Sequence, residues 1–164
     1  ARETAEQACR RCPSLDALKR AGVVMMWTSE FVLWTPQENM YRASRYTGFQ
    51  MNPQRSVSTY QRYASIDDWL DPWHFTFGHA KWGLSRCHYD TAHEIRDGHI
   101  TREEAIALIR RYGDEMPTDP YVDFACDYMQ ITPEHLFETL DAWRAPHLWE
   151  KDAGGAWRLK HQVS

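Results

Sequence analysis

The feature that most constrains this chain is a set of apolar residues returning at helical spacing, each set opened by a capping signal. Ala105, Leu108, Ile109 and Tyr112 stand at i, i+3, i+4 and i+7. On a 3.6-residue repeat they share one helix face, whereas on a two-residue repeat they scatter over both sides of a strand. Thr101 and Glu104 just before them have the spacing at which a hydroxyl caps the N3 amide and a carboxylate reaches back to the cap, and Gly113 supplies the stop. Ser65 and Asp68 repeat that spacing and predict another helix start. Tyr121, Phe124, Ala125, Tyr128 and Met129 form a further stripe, and Thr132-Pro133 opens one carrying Leu136, Phe137, Leu140 and Trp143. These stripes are expected to be core. Between Met51 and Tyr63 the chain is polar and without helical period, which predicts an extended loop, and the Gly-Gly in "HLWEKDAGGAWRLKH" predicts a small hairpin. The fold class expected is mainly α.

Residues 1–50 read differently. "SLDALKRAG" ends in a glycine stop, "VVMMW" is a continuous apolar run of the kind found in buried parallel strands, and "TSEFVLWTPQENMYRASRYTG" returns toward a helix. One strand makes no sheet. Residues 1–50 are therefore expected to be the tail of an α/β domain with a short strand remnant, and residues 51–164 a helical region.

With 164 residues, 43% of them hydrophobic, the chain is long enough to bury a core. Its formal charge of −4 argues against a dedicated nucleic-acid or anionic-membrane binder. No apolar run reaches the roughly 18 residues of a membrane span, so no membrane insertion is expected and a cytoplasmic location is. Four cysteines are too few and too scattered for a disulfide framework. Cys9-x-x-Cys12 has half of a zinc spacing but no second pair, and ordinary thiols are the expectation.

The stretch "KWGLSRCHYDTAHEIRDGHITREEAIALIRRY", Lys81 to Tyr112, holds the chemistry. Lys81, Gly83 and Arg86 surround a helix start near Ser85, where free N–H groups and the helix dipole favour an anion. Asp90, Glu94 and Asp97 follow at i, i+4 and i+7, so their carboxylates share a face. A ligand site and a solvated face both satisfy that spacing. Calcium is not expected, because the loop ending in Gly98 and Glu104 puts His93 and Ile95 where oxygen ligands belong. No metal site is expected.

With "STYQRYASIDDWLDPWH" before it and "PHLWEKDAGGAWRLKH" after it, this stretch resembles the C-terminal region of the N-acetyl sugar amidotransferases. These are bacterial enzymes of lipopolysaccharide O-antigen, other surface-polysaccharide and nonulosonic-acid synthesis. The likeness runs from about Val23 to His161, and Ser85 stands where the family pattern has a second glycine. The resemblance implies an ATP pyrophosphatase (PP-loop) fold that turns an acetamido group into an acetamidino group. By that likeness ATP, with Mg, adenylates the amide oxygen, pyrophosphate leaves, and ammonia from a glutaminase partner attacks the carbon. The sequence holds no Ser-Gly-Gly-x-Asp-Ser phosphate loop and begins with Ala. The expectation is accordingly a C-terminal piece, a split subunit or a truncated homologue, in which ATP binding falls to an upstream domain or subunit and this chain alone does not use ATP.

Under that resemblance Lys81 and Arg86 pair with a phosphate or sugar carboxylate, on a sugar nucleotide or acetamido sugar. Asp90 and Glu94 hold the cations or accept from sugar hydroxyls. Glu30, just past the expected strand, approaches nucleotide or substrate. Thr59, Tyr60 and Tyr63, in the family's Thr-Tyr-x-x-Tyr run, face the sugar. The rival reading is a non-catalytic helical module that docks a glutaminase or a separate ATP-binding subunit.

Overall fold

The structure, a computed structural model, describes residues 12–163, so Cys9 lies outside the described residues. The chain forms two compact units, 1–34 and 35–164. In the first, helix α1 (Leu15–Arg20) is capped by Ser14, whose Oγ accepts from the Ala17 N–H, and a 3-10 turn spans Thr28–Glu30. The expected strand "VVMMW" does not form. Residues 23–27 carry no regular structure, and Val24 and Met25 are 76% and 87% exposed. An apolar run becomes a strand only where another strand takes its N–H and C=O groups, and among the described residues none does so.

The second unit is helical: α2 (Pro36–Thr47), α3 (Asp71–Trp82), α4 (Arg86–Arg96), α5 (Arg102–Tyr112), α6 (Asp119–Met129) and α7 (Pro133–Trp143). A two-stranded antiparallel hairpin, β1 (Trp149–Lys151) and β2 (Trp157–Leu159), follows with Glu150 opposite Arg158. The mainly α fold and the terminal hairpin are as the sequence predicts. So are two helix starts: Thr101 caps α5 reciprocally with Glu104, and Thr132 accepts from the His135 N–H at the start of α7. Ser65 caps nothing. Its φ is +55°, and the helix begins six residues later at Asp71-Pro72, where the ring fixes a helical φ in the first turn.

Helix α3 is the hub, packing against α4, α6 and α7, while α5 packs on α4. The core lies between α3, α6 and α7 and is made of Trp73, Ala80, Val122, Ala125, Cys126, Leu136 and Leu140. On α6 the buried face is thus Val122-Ala125-Cys126. Phe124 and Tyr128, expected in the core, are 40% and 68% exposed, because a helix apolar on two sides offers two stripes and the smaller side chains pack closer. The hairpin is tied to α3 by Trp149, whose indole N–H donates to the Ala80 carbonyl at 2.7 Å. Gly83, with φ +72°, ends α3 in a conformation that favours glycine, and a Cβ there would sit 3.4 Å from Leu159. Among the described residues no helix is long and apolar enough to cross a membrane, and no group of three or more His, Cys, Asp or Glu could hold a metal ion.

Candidate functional site

The non-helical segment from 48 to 70 lies against the face of α4 that carries Arg86, Asp90 and Glu94, and its polar side chains meet theirs. Ser85 begins α4 in an extended conformation with its N–H donating to His88 Nδ1 at 3.1 Å. The next residue, Arg86, is 3% exposed. Its Nη1 donates to Asp71 Oδ2 at 2.6 Å, its Nη2 to Ser65 Oγ at 3.0 Å, and its guanidinium carbon stands 4.7 Å from the centre of the Phe75 ring. Its Nε is buried without a hydrogen bond, 3.8 Å from Asp90 Oδ2. That same oxygen accepts from Thr59 Oγ1 at 2.5 Å, and Gln61 Nε2 donates to Glu94 Oε1 at 3.5 Å.

Two carboxylates, Asp71 and Asp90, thus share one buried cation, and Glu94 stands one turn beyond Asp90, held by Gln61. Burial pushes the Asp90 carboxyl above its ordinary value, against the lowering effects of the Thr59 hydroxyl and Arg86. The hydroxyls of Tyr60 and Tyr63 are buried without a hydrogen-bond partner. Burial first, then the negative charge of Glu94 and Asp90, raises Tyr60 far above the usual tyrosine value and Tyr63 to about 12. Cys87, in the same surroundings, is pushed to about 12 and is an inert thiol.

These tyrosines make the domain sensitive to alkali. From the ordinary tyrosine value of 10.0 up to about 12, the native chain keeps a Tyr63 proton that the unfolded chain has lost. The native state then binds more protons, so stability is full below 10.0 and falls as pH rises. The expected outcome is a urea midpoint that drops above pH 10.0 more steeply in the wild type than in a Tyr60→Phe/Tyr63→Phe variant. Parallel curves would show that the two hydroxyls are solvated.

Beside this network opens a cavity of about 270 Å³, at the small end of ligand clefts. Arg86, Ser65 and Asp68 line one side, Asn52 and Gln54 another, and Trp69 with Tyr121 supplies an aromatic wall, their rings 5.4 Å apart. Thr59, Tyr60, Tyr63, Arg86, Asp90 and Glu94 are thus brought together. Lys81 is not among them: its ammonium lies 5.3 Å from the Trp82 ring and 5.2 Å from the Trp143 ring, and it does not line the cavity. Gly83 borders a second cavity of about 610 Å³ with His88, Arg110 and Asp114. Glu30 is an exposed residue of the first unit's 3-10 turn. Sequence reasoning missed Asp71, Trp69, Asn52 and Gln54. Asp71 stands 15 residues before Arg86 and no periodicity links them, whereas Trp69 sits in a "DDWLDPW" run whose density of Trp and Asp was the available signal.

No curated protein matches the chain. The family described as "LPS biosynthesis protein WbpG-like, C-terminal domain" matches residues 44–164, which include the loop, the whole Arg86 network, the cavity and the hairpin. With most of its length so matched, the chain belongs to the WbpG-like C-terminal domain family of LPS biosynthesis proteins.

Proposed function

We propose that this domain holds the sugar in an ATP-dependent N-acetyl sugar amidotransferase of lipopolysaccharide biosynthesis, which converts an acetamido group to acetamidino with ammonia from a glutaminase partner. The observation that carries the reading is the cavity beside Arg86. Trp69 and Tyr121 offer an apolar face to the C–H side of a sugar ring, and Asn52, Gln54, Ser65 and Asp68 offer donors and acceptors to hydroxyls and to the amide. Family membership supplies the biosynthetic setting.

The described residues do not fit ATP. They hold no glycine-rich phosphate loop, and the one cation buried at the cavity is engaged by Asp71 and Ser65. In this reading ATP and Mg belong to another domain or subunit, and the reaction runs in the cytoplasm, where ATP is available. The exposed apolar run 23–34 of the first unit, with Met25 87% and Leu33 89% exposed, has the chemistry of a segment that an α/β domain would cover.

Within this reading Arg86 orders the site rather than touching the reacting amide: it pins Ser65 and Asp71, and with them the loop that carries Asp68 and Trp69. Asp90 and Thr59 fix the other side of that loop on α4.

Saturation-transfer NMR tests the reading, with UDP-N-acetylglucosamine as probe and UDP-glucose as control. The acetamido methyl should receive magnetisation from the wild-type chain, and Trp69→Ala should weaken binding about tenfold, the equivalent of about 1.4 kcal/mol. Equal signals from both nucleotides, or no change on Trp69→Ala, would remove the sugar site.

A further inference from the structure

Helix α4 opens on a capping box whose second half is a histidine. Ser85 is the cap, and His88, three residues on, returns its ring Nδ1 to the Ser85 N–H at 3.1 Å. In α5 the same place is filled by Glu104, whose carboxylate accepts from the Thr101 N–H. The two caps differ in their response to a proton. A carboxylate keeps an acceptor for the cap N–H at any protonation state, whereas a neutral imidazole has one acceptor nitrogen and loses it on protonation.

Because Nδ1 accepts the Ser85 N–H, the ring proton of neutral His88 sits on Nε2. Ser85 is 0% exposed, and the end of α5 closes over it so tightly that a Cβ at Gly113 would stand 3.0 Å from its Oγ. A cap N–H released there is left buried and unpaired. The ionisable groups around the ring are His79 of α3, Arg110 and Asp114 at the end of α5, His161 beyond the hairpin, and His93 and Arg96 further along α4. Burial, then the charge of His79, lowers His88 below its ordinary value against the opposing pull of Asp114, which favours the neutral, accepting ring. A positive ring would also stand at the positive end of the α4 dipole.

We infer that His88 is a proton-sensitive positioning residue: neutral, it holds the first turn of α4 and with it Arg86, and protonated, it releases the cap and loosens the cavity that Arg86 ties together. Arg86 directly follows Ser85 and donates to Asp71 at 2.6 Å and to Ser65 at 3.0 Å, so unwinding the first turn pulls on both. That the cavity takes a sugar rests on the proposed function; the cap rests on the helix start itself. Linkage gives the direction of the effect. As pH falls below the ordinary histidine value of 6.5 the unfolded chain takes up this proton before the native chain does, so the cap's contribution to stability is full above 6.5 and is lost on the acid side.

The test compares wild type with His88→Gln, whose amide oxygen can accept from the Ser85 N–H and does not titrate. Long-range proton–nitrogen NMR of the wild type should show the Nε2–H tautomer at about pH 8, and on acidification toward about pH 5 the Ser85 amide should move along the same curve as the His88 ring. The urea midpoint should fall with acid more steeply in the wild type than in His88→Gln. Affinity for UDP-N-acetylglucosamine should drop about fivefold more in the wild type than in the variant over that range, the equivalent of losing one helix cap. An Nδ1–H tautomer, a Ser85 amide indifferent to the His88 titration, or urea curves that run parallel would overturn the cap. A cap that titrates while the nucleotide affinities of the two proteins stay in step would overturn its coupling to the cavity. If the nucleotide binds neither protein at any pH, the proposed function fails on its own, and the Ser65 amide replaces it as the readout: it must shift with the His88 ring for the coupling to stand.

Discussion

Arg86→Ala should lower the stability of the domain by about 3–5 kcal/mol, because it removes a buried cation from between two carboxylates. Arg86 is 3% exposed, and Asp71 and Asp90 lie against its guanidinium. Without it, their charge stays out of water and unpaired unless protons are taken up. Ser65, held in a left-handed conformation at φ +55°, also loses its Nη2 partner, so the 65–70 wall of the cavity loosens with the fold. Against a typical domain stability of about 5–15 kcal/mol this is a large fraction. The check is urea unfolding of wild type, Arg86→Ala and Arg110→Ala. Arg110 is exposed, its Nη2 donating to the Val163 carbonyl at 3.3 Å, and its removal should cost under about 1 kcal/mol. Equal small losses at both positions would mean that Arg86 is solvated rather than the tie between loop and helix.

A loss of similar size, about 3–5 kcal/mol, is expected for Trp73→Ala. Trp73 is 3% exposed in the core between α3, α6 and α7, with the Phe137 ring 5.8 Å away edge-on and Phe77 at 6.4 Å. Its indole N–H donates to the Tyr121 carbonyl at 2.9 Å, so truncation leaves a cavity and takes away the tie between α3 and the first turn of α6. Trp73→Phe keeps most of the volume and forfeits the hydrogen bond, and should cost about 1–2 kcal/mol. Chemical denaturation of both variants measures the difference. A Trp73→Ala loss no larger than that of Trp73→Phe would show that the site collapses without a cavity.

Local signals were legible in the sequence and long-range ones were not. The Thr101–Glu104 cap could be read because both halves of the interaction lie within four residues, and the structure closes it at 2.8 and 3.2 Å. Ser65 and Asp68 have the same spacing and a different fate. The Ser65 hydroxyl is taken by Arg86, 21 residues on, and Asp68 instead accepts from the Leu70 N–H at 2.8 Å. The candidate site divides in the same way. Asp90 and Glu94 share a face because they share a helix, and Thr59, Tyr60 and Tyr63 reach that face through a loop whose path no local pattern encodes. Lys81 looked close to Arg86 along the chain, but it belongs to the last turn of α3, and the left-handed Gly83 sends the two side chains to different surroundings. "VVMMW" failed as a strand because strand formation depends on a partner.

The central claim is that this domain holds an acetamido sugar while the amide is converted to an amidine at the expense of ATP. Mass spectrometry of the sugar after incubation with the complete enzyme, ATP, Mg and an ammonium salt tests it most directly. The account predicts replacement of the acetamido oxygen by NH, with pyrophosphate released in step and both lost when Trp69→Ala empties the aromatic wall. A sugar recovered with its oxygen in place, whether or not ATP is consumed, would contradict it.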